Sequence, residues 1–194
     1  EKGGSAVLRK IDYNDPVSLS LAIAAFVVLC LGWVTDGLTT RQLFCVYGSP
    51  WTDPLTYVRL FGHVLGHADL SHYMGNMMLL LLVGTMVEEF YGSGRLLLMC
   101  AVTAVVTGLV DMLFFPTTAL LGASGVVFMM IILASMVSYQ KGRIPLTFFF
   151  VAAMYLGQEI YNAIFAADDI SQLTHIIGGV LGLVFGLTMR RGRR

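Results

Sequence analysis

Charge is what this chain has least of. Only 12% of its 194 residues are Asp, Glu, Lys or Arg, about half of the roughly 25% usual in soluble domains. With 57% hydrophobic residues, there is too little polar material to solvate a surface in water. An excess of either sign is also missing. The formal net charge is zero, which excludes the basic face that nucleic-acid binding requires, so no nucleic acid is expected as a partner. Cysteine is scarce. Cys30, Cys45 and Cys100 stand far apart, two of them inside apolar runs, which fits neither a disulfide framework nor a zinc knuckle. They read as small buried hydrophobes. The sequence also lacks signal-peptide features: Glu1 to Asp15 are polar, and no small-residue cleavage site follows the first apolar run.

What the chain does have is apolar length. Six runs stand out, at 17–35, 71–91, 95–115, 122–139, 145–166 and 171–189. Each approaches the ~20 residues needed to cross ~30 Å of hydrocarbon. The fourth is somewhat short, which is tolerable if its start is buried within the bundle instead of facing lipid. The expectation is an all-α membrane protein, a compact bundle of six transmembrane helices in contact with the lipid bilayer. Residues 1–16 read as an N-terminal segment, 17–189 as the core and 190–194 as a basic tail. The one long connection, 36–70, is rich in aromatics such as Trp51 and Tyr57, which favour the membrane–water interface. It is expected to lie on the bundle.

Lys and Arg set the orientation. Six spans put both termini on the same side as Arg95, Lys141 and Arg143, leaving Arg41 and Arg59 alone on the other side. Ten cations against two make the termini cytoplasmic. The small size and span count point to a bacterial inner membrane.

Polar groups inside apolar helices are costly, so they mark candidate chemistry. The four histidines are His63, His67, His72 and His175. His72 and Asn76, four apart on the second run, project from one face. The fourth run opens Gly122-Ala123-Ser124-Gly125, where a helix N-terminus offers unpaired N–H groups beside the Ser124 hydroxyl. His175 lies about one turn inside the last run, with Ser171 as its expected cap. All three runs start on the outer side. A neutral imidazole can take the proton of Ser124 and make it a nucleophile. His72, Asn76 and the Ser124 N–H are candidate donors to the resulting oxyanion. No acidic residue is placed to orient His175, so a Ser–His dyad is expected. The same polar groups would also suit an ion path in a small transporter.

These residues resemble the rhomboid family of intramembrane serine proteases. Gly122-Ala123-Ser124-Gly125 is similar to the family's Gly-x-Ser-Gly motif. His67, His72 and Asn76 resemble its His-x(4)-His-x(3)-Asn pattern, and His175 with Gly178 its last-helix His-x-x-Gly. Arg59, Glu88 and Gly92 also match family positions. The resemblance implies a bundle of rhomboid type, with Ser124 as nucleophile, His175 as base and acid, and His72 and Asn76 as oxyanion donors. Phe128 stands where a Tyr commonly packs on the catalytic His, keeping the ring without the hydroxyl. His67, Phe128 and Gly122 are then site-supporting. The implied substrates are transmembrane proteins, whose helices enter sideways between the second and fifth runs. A catalytically dead relative that binds membrane proteins is the other family-level alternative.

Plainer readings cover the remaining polar positions. His63 and His67 read as structural. Their His-Val-Leu-Gly-His spacing lacks the Glu of a helical zinc protease motif, so neither metal nor cofactor is expected. Ser135 and Ser138 read as packing residues bonded to their own helix. Gly178, Gly182 and Gly186 form a small-residue stripe for close helix contact. Asp111 and Glu159 read as interfacial charges.

Overall fold

The computed structural model describes residues 15–140 and 169–189, together with the helical positions 146, 150, 153, 154, 157 and 161. The elements are α1 (Pro16–Val34), α2 (Leu38–Leu43), α3 (Pro54–Gly62), a 3-10 turn (His63–Leu65), α4 (Leu70–Tyr91), α5 (Ser93–Phe114), α6 (Ser124–Gln140) and α7 (Asp169–Thr188). Most of the fifth expected run, with Glu159, lies outside the described residues, as do 1–14, the tail 190–194 and the side chain of Ser138. Among the described residues, three helices, α1, α4 and α5, are long and apolar enough to cross a bilayer. At 1.5 Å per residue, the 22 residues of α4 span about 33 Å.

Each span must satisfy its own backbone, because hydrocarbon supplies no hydrogen bonds. At the start of α1, Pro16 occupies the first turn and Asp15 makes no capping bond. The cap comes from a distant helix. The Glu88 carboxylate, on α4, accepts the N–H of Val17 and of Ser18, each at 2.9 Å, and the Ser18 hydroxyl at 2.9 Å. A negative group at a helix N-terminus is doubly favourable, through the bonds and through the helix dipole. At the other end of α1, Gly37 N–H closes onto the Gly32 carbonyl at 2.7 Å. Asp69 caps α4 by accepting the His72 N–H at 2.8 Å. A single residue, Gly92, turns the chain from α4 into α5.

The connection 36–70 is folded onto the helices. Arg59 is its internal clamp. The guanidinium donates to Asp53 at 2.9 Å and to the Gln42 carbonyl at 2.8 Å, and lies 4.7 Å from the centre of the Tyr47 ring. The Leu55 N–H, and then the Arg59 guanidinium, hold the Asp53 carboxyl below its ordinary range. An antiparallel bridge, Val46 to Leu120, ties this connection to the segment that precedes α6. Asp111 differs from expectation: it is only 2% exposed, not an interfacial charge. It lies near Cys45, whose thiol is pushed up to about 11, first by burial and then by the Asp111 charge. A connection that folds back over the C-terminal end of α5 covers a carboxylate which the linear sequence leaves at a helix end.

The most enclosed helix is α6. Val127, Met129, Met130, Leu133, Ala134 and Val137 have no exposed surface. Its shortness costs little, since it meets protein where a peripheral helix meets lipid. By contrast, α1 turns Ile23, Phe26, Val27 and Leu31 outward, a face suited to acyl chains. Ser135 bonds back to the Ile131 carbonyl at 3.0 Å, as expected of a packing serine.

The remote cap gives a testable consequence. Glu88→Gln removes the charge and one strong acceptor from a buried site, and should lower stability by about 1–3 kcal/mol. Thermal unfolding in detergent micelles checks it. An unchanged midpoint would mean that Glu88 does not anchor α1.

Candidate active site at the helix N-termini

The site begins with a glycine that nothing else can replace. Gly122 has φ of 123°, a conformation that L side chains rarely adopt. A Cβ there would also fall 2.8 Å from His72 Nε2 and 2.9 Å from Cε1. Its N–H donates to the His63 carbonyl at 2.9 Å. The turn thus delivers the start of α6, with a half-buried Ser124, beside the imidazole of His72 on α4.

A second set of contacts brings in α7. A Cβ on Gly178 would overlap the Gly125 carbonyl, and one on Gly182 would lie 2.5 Å from the Met129 carbonyl. Gly186 lies against the side-chain sulfur of Met136. Because contacts advance together along both helices, α6 and α7 run parallel, nearly backbone on backbone. This is the close contact that the glycine stripe implied. The first turns consequently abut. A Cβ on Gly125 would lie 3.0 Å from the Thr174 methyl carbon. One residue on, the His175 ring stacks on Phe128, with centroids 4.3 Å apart and planes at 10°. Phe128 is one helical turn after Ser124, so the His175 ring lies along the face that carries the serine. The start of α7, at Asp169, lies two residues before Ser171, earlier than expected.

His72 and Asn76 share a face, as their spacing implied: the Asn76 amide donates to the His72 carbonyl at 3.0 Å. The Ala68 N–H approaches His72 Nδ1 at 3.5 Å. That favours the tautomer with the proton on Nε2, the atom facing Gly122. His67 stands edge-on to His72, ring centroids 5.0 Å apart, and its Nδ1 donates to the Leu65 carbonyl at 3.2 Å. His63 donates from Nε2 to the Ala104 carbonyl of α5 at 2.9 Å. Among the described residues, His63 Nδ1 and His67 Nε2 have no hydrogen-bond partner. Burial pushes both imidazoles down to about 4, for His67 with the neighbouring His72 adding to it. Both are neutral at physiological pH. A cavity of about 390 Å³ opens beside His67, lined also by Leu29, Trp33, Thr40, Arg41, Ala68 and Leu121 among others.

Two supporting residues escaped the sequence reading. Asp69 caps α4 directly beneath His72, and an Asp just before an apolar run was the available signal. Tyr73 packs on His67 with centroids 5.6 Å apart, which no local pattern announces.

Residues 54–192 match the Rhomboid domain. This chain belongs to the rhomboid family. It is 25% identical over 131 residues to rhomboid protease GlpG of Haemophilus influenzae, covering 66% of this chain and 67% of that one. It is 26% identical over 157 residues to rhomboid-related protein 2 of Mus musculus, covering 70% and 52%. Rhomboid-related protein 1 of Caenorhabditis elegans is 30% identical over 139 residues, covering 66% and 38%. The chain thus spans about two thirds, half and two fifths of these relatives. Family and apolar helices together make this rhomboid an integral membrane protein.

The two neutral imidazoles carry a pH signature. Above pH 6.5 neither the folded nor the unfolded chain holds the proton. Between 6.5 and about 4 only the unfolded chain takes it up, so stability falls on acidification through that window. Unfolding midpoints in micelles should drop from pH 6.5 to 5, above most carboxylate titration. His63→Gln should flatten part of that slope, and an unaltered slope in this variant would remove His63 from the account.

Proposed function

We propose that this rhomboid-family chain is an intramembrane serine protease that cuts transmembrane proteins with a Ser124–His175 dyad. The observation that carries the reading is the parallel stack of His175 on Phe128, one turn from Ser124. In the proposed reaction, Ser124 Oγ attacks the scissile carbonyl while His175 takes its proton. The tetrahedral oxyanion receives hydrogen bonds from His72 Nε2–H, the Asn76 amide and the Ser124 backbone N–H. His175 then protonates the departing amine, and a water activated by the same imidazole releases the acyl group. In a triad an acidic residue orients the imidazole. Here that task falls to the Phe128 ring.

The substrate class follows from the same geometry. A transmembrane helix hides its carbonyls in its own hydrogen bonds, so a segment must unwind before Ser124 can reach one. Helix-destabilising, small-residue stretches are therefore favoured. The cavity beside Leu121, His67 and Ala68 gives such an unwound stretch room next to Gly122. Entry between the second and fifth apolar runs remains part of the proposal, with the fifth largely outside the described residues.

The six-span core over 17–189 is supported by direction. The contacts of α6 with α7 advance in parallel, and the apolar run 145–166 has the length of one further span between them. Six spans would gather ten of the twelve cations on one side, which supports cytoplasmic termini, and the reading assigns the chain to a bacterial inner membrane.

Ser124→Ala and His175→Ala should each abolish cleavage of a model transmembrane substrate while leaving the protein folded. A fluorophosphonate probe should label Ser124 alone. Removing an oxyanion donor, by His72→Ala or Asn76→Ala, should lower kcat about 10²–10³-fold. Cleavage by purified Ser124→Ala would overturn the dyad.

A further inference from the structure

Three rings lead from α1 to the candidate site. The Tyr73 hydroxyl donates to the Ala22 carbonyl of α1 at 3.1 Å, and the Phe26 ring of α1 lies 5.6 Å from the Tyr73 ring. The Tyr73 ring meets His67 edge-on, centroids 5.6 Å apart and planes at 82°. His67 meets His72 edge-on in turn, at 5.0 Å and 65°. The same imidazole lies against the turn before α6, where a Cβ on Gly122 would fall 2.8 Å from His72 Nε2.

We propose that Tyr73 is a positioning residue, acting through His67 to hold the His72 imidazole against Gly122 in the orientation that serves the oxyanion. The proposal rests on the reading of His72 as an oxyanion donor. The physical need is clear from what else holds that ring. His72 sits in the first turn of α4 and is only half-buried. Its Nδ1 receives one long 3.5 Å bond, from Ala68. That single tether leaves the ring free to rotate away from Gly122 unless its other face is walled. The wall is His67, which lies between the 3-10 turn and α4, with one 3.2 Å bond to a carbonyl two residues back. Without a backing, His67 could shift with its loop. Tyr73 supplies the backing and fastens it to a different helix.

Tyr73 follows His72 in sequence, yet about 100° of helix rotation sends it to another face. Its effect on the reaction therefore passes through His67 and not through direct contact with the reacting groups. A donor held out of line loses its advantage where charge develops, in the transition state, and not in substrate binding. The signature is a fall in kcat at constant KM.

The test is steady-state cleavage of a transmembrane substrate by the full chain in liposomes, with thermal stability measured alongside. Tyr73→Leu should lower kcat roughly tenfold, part of the 10²-fold that misplacement can cost, with KM unchanged. Tyr73→Phe, which keeps the ring and loses the tether, should stay within about threefold of the parent. Should Tyr73→Leu not fold, Tyr73→Met serves as the truncation, filling the same space with a flexible chain. In a His72→Ala background, the truncation should cause no further loss, because its route to the reaction is gone. An equal loss in both backgrounds, an unchanged kcat, or a rise in KM alone would overturn the proposal. If His72→Ala itself keeps full kcat, the oxyanion reading fails and takes this proposal with it, which distinguishes that case from a failure of the ring series alone.

Discussion

Gly178 rests on the backbone carbonyl of Gly125, and most of the site follows from that contact. Two helices without side chains at the crossing can approach until backbone meets backbone. Gly182 and Gly186 continue the contact against Met129 and Met136, so the approach is fixed along the helices and not at one point. Near the N-terminal ends of both helices it brings together the flat stack of Phe128 and His175. The proposed proton transfer needs an imidazole held to within a few tenths of an ångström. A rigid glycine seam provides that more reliably than long side chains, whose rotamers can change.

The other half of the site depends on a loop that behaves as part of the core. The connection 36–70 is clamped by Arg59, bridged to Leu120 through Val46, and anchored to α5 by His63. His63 has two tasks: its side chain donates to Ala104, and its carbonyl accepts the N–H of Gly122. One residue thereby links the loop, α5 and the turn before Ser124. Burial keeps His63 and His67 neutral, so these supports add no positive charge beside His72. An additional cation there would compete for the same negative oxygen that the proposed donors serve.

Much of this was legible in sequence, for reasons that can be named. Apolar runs are local, and the bounds of α1, α4, α5, α6 and α7 fall within a few residues of the runs expected. Helical periodicity is also local, which is why His72 and Asn76 could be placed on one face and Gly178, Gly182 and Gly186 on another. Ser124 stood out because flanking glycines at a helix start are rare without a purpose. Glu88 could be matched to a family position, but its task could not be read. The groups it caps, Val17 and Ser18, lie 71 and 70 residues away. Asp111 was misread for the same reason, since what covers it arrives from an earlier loop.

By itself the sequence determined where the apolar runs lie and which polar groups those helices had to carry. Both are properties of neighbouring residues and of transfer from water to hydrocarbon. Tertiary structure alone decided which polar groups meet. It put Gly122 against His72, His175 on Phe128, and Tyr73 behind His67. Such meetings depend on backbone separations of a few ångström between helices far apart in the chain. They are set by packing at the glycine seam and by the folded loop, and no local pattern encodes them.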